Sequence, residues 1–172
     1  MSPGIGIKYN KNLGEHMYSK IKPFVISAAI PLAVGALSAL LTSKNMDLFD
    51  RIAKPPLAPP AILFPIVWTI LYVLMGISAA LVAKSDSHSF AKEKALATYA
   101  VSLAINFSWS IVFFNFRAFS TAFALLAVLF YFVVSTIIRY KKLSPLAAYL
   151  QIPYAGWLLF AGYLNFAIVI LN

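Results

Sequence analysis

Three tryptophans and two asparagines stand where the chain is otherwise hydrocarbon: Trp68, Trp109 and Trp157, with Asn106 and Asn165 close in sequence to two of them. An indole is a broad, flat apolar surface with one N–H donor, and a carboxamide is a neutral donor and acceptor. The chemistry open to such a set is the binding of a flat apolar molecule oriented by a few polar handles. Acid–base chemistry has no comparable set. No Asp, Glu, Lys, Arg or His falls in the long apolar runs, and Ser108, Ser110 and Tyr154 lack a neighbour that would activate them. The absence of cysteine removes disulfides and thiolate metal sites. His16 and His88 lie in polar segments, where neither an axial haem ligand nor an intramembrane metal pair is expected. No metal and no required cofactor are therefore expected.

The elements that must position these residues follow from hydropathy. The 172-residue chain is 62% hydrophobic and 11% charged, with a mean hydropathy of +0.84. This is the profile of a membrane protein rather than a soluble domain. All charges lie outside five runs, residues 23–43, 55–83, 95–116, 118–138 and 143–172. Each run exceeds the roughly 20 apolar residues that a helix needs to cross hydrocarbon. Only helices or closed barrels satisfy every backbone group there. The spacing predicts an all-α membrane protein, a bundle of five transmembrane helices at about residues 24–41, 60–83, 95–116, 119–140 and 145–171. Residues 23–172 form the membrane domain and residues 1–22 a polar basic tail, flexible or surface-lying, with no apolar core of a cleavable signal peptide.

Lys and Arg number 14 against 5 Asp and Glu, for a formal charge of +9. Such a balance also suits nucleic acid, but its placement at span ends argues for lipid, and no nucleic-acid partner is expected. Counted by alternate sides, ten Lys and Arg fall with the N-terminus and the 84–94 and 139–142 connections, and four fall with the 44–54 segment and Arg117. By the positive-inside rule the N-terminus is cytoplasmic, in a prokaryotic cell membrane.

Between the first two spans lies a connection of about 19 residues, Thr42 to Pro60, ending in Lys54-Pro55-Pro56-Leu57-Ala58-Pro59-Pro60. Prolines fix φ and remove donors, so this run makes a stiff extended entry to the next helix. Its apolar members Met46, Leu48, Phe49 and Leu57 are expected to fold back over the helix ends, leaving Asp47, Asp50, Arg51 and Lys54 in water. The connection reads as a lid made by Phe49, Pro55, Pro59 and Pro60 over an internal cavity.

The second span carries Phe64, Trp68 and Tyr72 at every fourth position, one stripe of a helix, for which core packing is the plain alternative. On the third, at 100° per residue from Ala100, Asn106, Trp109, Ser110 and Phe113 lie at about 240°, 180°, 280° and 220°. Ala100, Ala104 and Ser108 lie opposite, a small-residue row suited to close helix contact within the bundle or between two copies. A carboxamide in hydrocarbon is costly unless bonded, so Asn106 must point into the protein. The fifth span puts Tyr154, Trp157, Ala161, Leu164 and Asn165 on one face, where the Ala161 gap suits a flat ligand or a neighbouring ring. The first span, rich in Ala28, Ala29, Ala33, Gly35, Ala36, Ser38 and Ala39, reads as a packing helix. Val134 to Lys142, centred on Tyr140, matches a loose sterol-contact pattern that an interfacial anchor explains equally well.

Four strings carry a resemblance to a known family: Lys54-Pro55-x-x-x-Pro59-Pro60; Val67-Trp68-x-x-Leu71-Tyr72-x-x-Met75-Gly76; Leu103-x-x-Asn106-x-x-Trp109-Ser110-x-x-Phe113-Phe114; and Pro153-Tyr154-x-x-Trp157-x-x-Phe160-Ala161-x-x-Leu164-Asn165. Over residues 24–172 the chain resembles the translocator protein family, also called tryptophan-rich sensory proteins or peripheral-type benzodiazepine receptors. The resemblance implies a five-helix bundle, often a homodimer through the third helix, whose loop-capped cavity binds porphyrins such as protoporphyrin IX, sterols and benzodiazepine-type ligands. It implies a pocket lined by Trp68, Asn106, Trp109, Trp157 and Ala161, with Phe49 as the lid aromatic. Leu48-Phe49 stands where the family usually has Trp-Tyr, and three tryptophans are few for it. With no Lys or Arg beyond Lys142, cholesterol handling is not expected. The functions left open are a regulatory receptor for tetrapyrroles, a transporter of them or of lipids, and a porphyrin-degrading enzyme.

Overall fold

The structure, a computed structural model, describes residues 11–172, with side chains from Met17 onward. Five long helices carry the chain: α1 (Lys11–Thr42), α3 (Leu63–Ala83), α4 (Ser89–Ser110), α5 (Phe119–Leu143) and α6 (Pro145–Leu171), with a short α2 (Leu48–Arg51) between the first two. All five are long and apolar enough to cross a membrane. Neighbours in space run α1, α3, α6, α5, α4, and lighter contacts of α4 with α1 and α3 close the ring.

The second span starts at Leu63 instead of 60, beyond the proline run, and three other helix ends lie outside the uncharged runs. An uncharged run marks only the stretch that crosses hydrocarbon, whereas a helix can continue into water. Thus α1 starts at Lys11 instead of 24, α4 at Ser89 instead of 95, and α5 runs to Leu143. Half of the expected tail is therefore helix, and residues 1–10 lie outside the described residues. The 32 residues of α1 span about 48 Å, against roughly 30 Å of hydrocarbon. Pro23 and Pro31 sit inside α1, each lacking an N–H, as membrane helices tolerate. At the other end of the bundle α4 passes into a π-helical turn, Ile111–Asn115, before Arg117 reverses the chain at a φ of 53°.

The tight contact is between α1 and α3. A Cβ on Gly76 would overlap the backbone of Ala28, and one on Gly35 would overlap the ring of Tyr72, so these glycines let the helices approach and seat that ring. The other small residues of α1 are divided: Ser38 is buried, but Ala29, Ala33, Ala36 and Ala39 face outward. A buried core of Leu71, Met75, Leu103, Leu126, Val133 and Leu158 fills the ring. Beside it, buried Gln151 donates to the Ser78 hydroxyl at 3.3 Å, and Ser78 donates to the carbonyl of Ala147 at 2.7 Å. Tyr140 is fully buried, so the tyrosine of the sterol-contact pattern is turned away from lipid.

Candidate functional site

The connection between α1 and α3 folds back as the hydrophobic residues require, though only in part. Leu48 and Phe49 are buried, whereas Met46 and Leu57 are exposed, correcting the expectation that all four would be covered. Leu57 occupies the left-handed region at a φ of 70° at the tip of the proline run. Pro55 is buried, Pro59 half-buried and Pro60 exposed, so the proline segment touches the bundle through its earlier members. Arg51 pairs with Asp47, and Lys54 with Asp50 at 2.9 Å, on the exposed side of α2.

Polar ties hold this segment down. Tyr163 of α6 donates its hydroxyl to the carbonyl of Pro56 at 2.8 Å. The Asn172 amide accepts from the Ala53 N–H at 3.0 Å and donates to the Ala53 carbonyl at 3.3 Å. Asn45 donates to Asn115 at 2.9 Å, and Asn115 in turn donates to the carbonyl of Leu41 at 3.1 Å. None of these four side chains stood out in the sequence. The signal was available only as asparagines and a tyrosine at helix ends, which is also where unpaired polar residues belong.

Beneath the segment the aromatic residues form a continuous path. The Phe49 ring meets Phe64 edge-on at 5.1 Å, Phe64 meets Trp157 at 6.0 Å, and Trp157 meets Phe160 at 5.5 Å. One turn deeper, Trp68 lies 5.3 Å from Tyr72 and 5.9 Å from Tyr154. Asn106 joins these rings: the Tyr72 hydroxyl donates to its Oδ1 at 2.9 Å, and its Nδ2 donates to the Tyr154 hydroxyl at 3.1 Å. The amide that hydrocarbon would penalise is thereby paired on both sides. Among the described residues, the Trp157 Nε1 is one of four buried side-chain polar atoms with no partner.

Trp109 belongs to a second group. Its ring stacks on Phe113 at 5.2 Å, its Nε1 donates to Asn165 Oδ1 at 3.3 Å, and Asn165 donates to the carbonyl of Phe119 at 3.0 Å. No ring contact among the described residues joins Trp109 to Trp68 or Trp157. The structure thus joins Phe64, Trp68, Tyr72, Asn106, Tyr154 and Trp157 by ring contacts and hydrogen bonds, and packs Trp109 and Phe113 in a buried cluster with Phe49, Phe64 and Phe119. Ala161 is half-buried on the Trp157 face of α6. Ala100, Ala104 and Ser108 are exposed on the outside of α4.

These rings and hydroxyls lie in contact with one another beneath the segment. A cavity of about 370 Å³ opens elsewhere, between the start of α5 and the end of α6, lined by Arg117, Phe119, Ser120, Thr121, Val169 and Asn172.

The fold and the site define a small α-helical membrane protein of five spans, with a tethered loop over neutral aromatic and amide groups and no ionisable cluster among its described residues that could hold a metal. The TspO/MBR family profile matches residues 27–171, and the chain belongs to that family. It is similar to the tryptophan-rich protein TspO of Chlorobaculum tepidum, 32% identical over 91% of this chain and 99% of that one. The tryptophan-rich sensory protein of Cereibacter sphaeroides is 36% identical over 87% and 89% of the two chains. The translocator protein of Bos taurus is 33% identical over 84% and 86%.

Proposed function

We propose that this protein is a membrane receptor that binds porphyrins, protoporphyrin IX among them, or other flat hydrophobic molecules beneath the 43–62 segment, in a regulatory or sensory role. The observation that carries this is the Trp157 indole, whose N–H is buried without a partner between Phe64 and Phe160. An unpaired donor in an apolar wall is costly in the empty protein and is relieved by a ligand acceptor. Trp68, Tyr72, Asn106 and Tyr154 supply the adjoining flat surfaces and polar contacts. The test is a titration of detergent-solubilised protein with protoporphyrin IX, read by tryptophan quenching. Saturable quenching, weakened by Trp157→Ala and Asn106→Leu, supports it; quenching that does not saturate removes it.

We further propose that α1 begins on the cytoplasmic side of a prokaryotic cell membrane and that two copies associate through Ala100, Ala104 and Ser108. The excess of Lys and Arg at the Lys84 and Lys141 end supports the first, and the exposure of the row supports the second. Ala104→Trp should convert a dimer to a monomer in light scattering of the detergent complex.

A further inference from the structure

The ring that opens the aromatic path carries a charge above it. The Lys54 Nζ lies 5.0 Å from the centroid of Phe49, the ring that meets Phe64 and, through it, Trp157. The other two lysines placed over rings, Lys84 and Lys94, cover Phe24 and Phe90 at the opposite end of the bundle. Among the described residues, Lys54 is thus the one cation over a ring of the candidate site.

The backbone beneath this cation is fixed on both sides. Pro55, next in the chain, is buried and restricts Lys54 to extended conformations. Ala53, just before it, is held through both its N–H and its carbonyl by the Asn172 amide. From this base the ammonium stands on a flexible stem, with the side chain 37% exposed. Its anionic partner is replaceable: Asp50, at 2.9 Å, is 67% exposed, and exposed i, i+4 pairs contribute little in water. Arg51, by contrast, pairs with Asp47 and is 72% exposed.

A cation at the rim of a wall of uncharged rings suits one kind of ligand, a flat apolar body with an anionic group at its edge. A carboxylate accepts a charge-assisted hydrogen bond from an ammonium, stronger than a neutral one, and the apolar rings beside Lys54 keep competing water away.

We propose that Lys54 is the specificity-determining residue of the site beneath the 43–62 segment, and that the site selects flat apolar molecules carrying a carboxylate at one edge over their neutral counterparts. The ligand carboxylate takes the place of Asp50 on the ammonium, and the ring system lies against Phe49, Phe64 and Trp157. This rests on the receptor reading above and adds the charge that the ligand must carry.

Protoporphyrin IX and its dimethyl ester share one ring system and differ in charge at one edge. The full-length protein in a neutral detergent is titrated with each, read by tryptophan quenching. Wild type should bind the diacid about tenfold more tightly than the diester, the scale of one charge-assisted hydrogen bond. Lys54→Gln should bring the diacid down to the diester and leave the diester affinity unchanged, whereas Lys54→Arg should keep the preference. Arg51→Gln, which removes an equal charge away from the rings, should also keep it. Equal binding of diacid and diester by wild type overturns the proposal and leaves the receptor reading standing. So does a preference that survives Lys54→Gln, one lost equally in Arg51→Gln, or a fall of both affinities in Lys54→Gln. Failure of both porphyrins to bind wild type removes the receptor reading, and this proposal with it.

Discussion

The Tyr72 hydroxyl of α3 donates to Asn106 Oδ1 of α4 at 2.9 Å, and the same amide donates onward to Tyr154 of α6. Three helices, α3, α4 and α6, are thus pinned at a single buried point. The pin lies at the level of Trp68, whose ring touches both tyrosines. Fixing the helices and shaping the candidate site are therefore tasks of the same residues.

Asn106→Leu removes the common partner of two buried hydroxyls. Each unsatisfied group costs about 1–3 kcal/mol, so the variant should lose roughly 2 kcal/mol or more in a denaturation series. Tyr72→Phe with Asn106→Leu should recover part of that loss, because one stranded hydroxyl is then absent.

Gly76→Ala should be the costliest glycine change. Its methyl would enter the backbone of Ala28 and force α1 from α3, at about 1–3 kcal/mol. Added methyls at Gly156 and Gly162 meet nothing. Alanine there should be neutral or stabilising by up to about 1 kcal/mol through helix propensity. Melting temperatures of the three variants side by side check the ordering.

Tyr163→Phe and Asn172→Ala cut ties of the 43–62 segment while leaving the aromatic contacts of Phe49 intact. A hydrogen bond contributes about 1 kcal/mol net, so opening of the segment should become roughly fivefold more frequent. Hydrogen exchange at the Ala53 amide, which loses its acceptor in Asn172→Ala, reads this without any ligand. Unchanged exchange would mean that the apolar contacts alone hold the segment.

Trp157→Phe separates stability from binding. Loss of the unpaired N–H offsets part of the lost ring contact, so the empty protein should change by less than about 1 kcal/mol. Affinity for protoporphyrin IX should fall about tenfold, through loss of a donor to the ligand. Calorimetric melting and a fluorescence titration on one preparation give the two values.

Ion pairs of the segment matter little by comparison. Asp50→Asn breaks the exposed pair with Lys54, and should cost under about 1 kcal/mol and lose its effect in high salt, as melting at two ionic strengths would show.

The inward face of each helix was only partly legible beforehand. The stripe of Phe64, Trp68 and Tyr72 and the face from Tyr154 to Asn165 could be drawn from helical period, and both turn inward. The period put Trp109, Phe113 and Asn106 on one face, and the structure adds that Asn106 bonds Tyr72 and Tyr154 while Trp109 stacks on Phe113 and bonds Asn165. A face about 100° wide can meet two neighbours at once, and its edges go to different ones. Tyr140 shows the same limit: a helix-end tyrosine flanked by lysines suits an interfacial anchor, but its own angle on α5 buries it.

By itself the sequence determined the number of spans, their order and the uncharged character of their interior. Those are sums of transfer free energy over about 20 consecutive residues, and they need no knowledge of neighbours. Tertiary structure alone decided that Asn106 serves Tyr72 and Tyr154, 34 and 48 residues away, and that Asn172 reaches back 119 residues to Ala53. A hydrogen bond needs its two atoms at one place, and that place exists only after the helices have packed in the order α1, α3, α6, α5, α4.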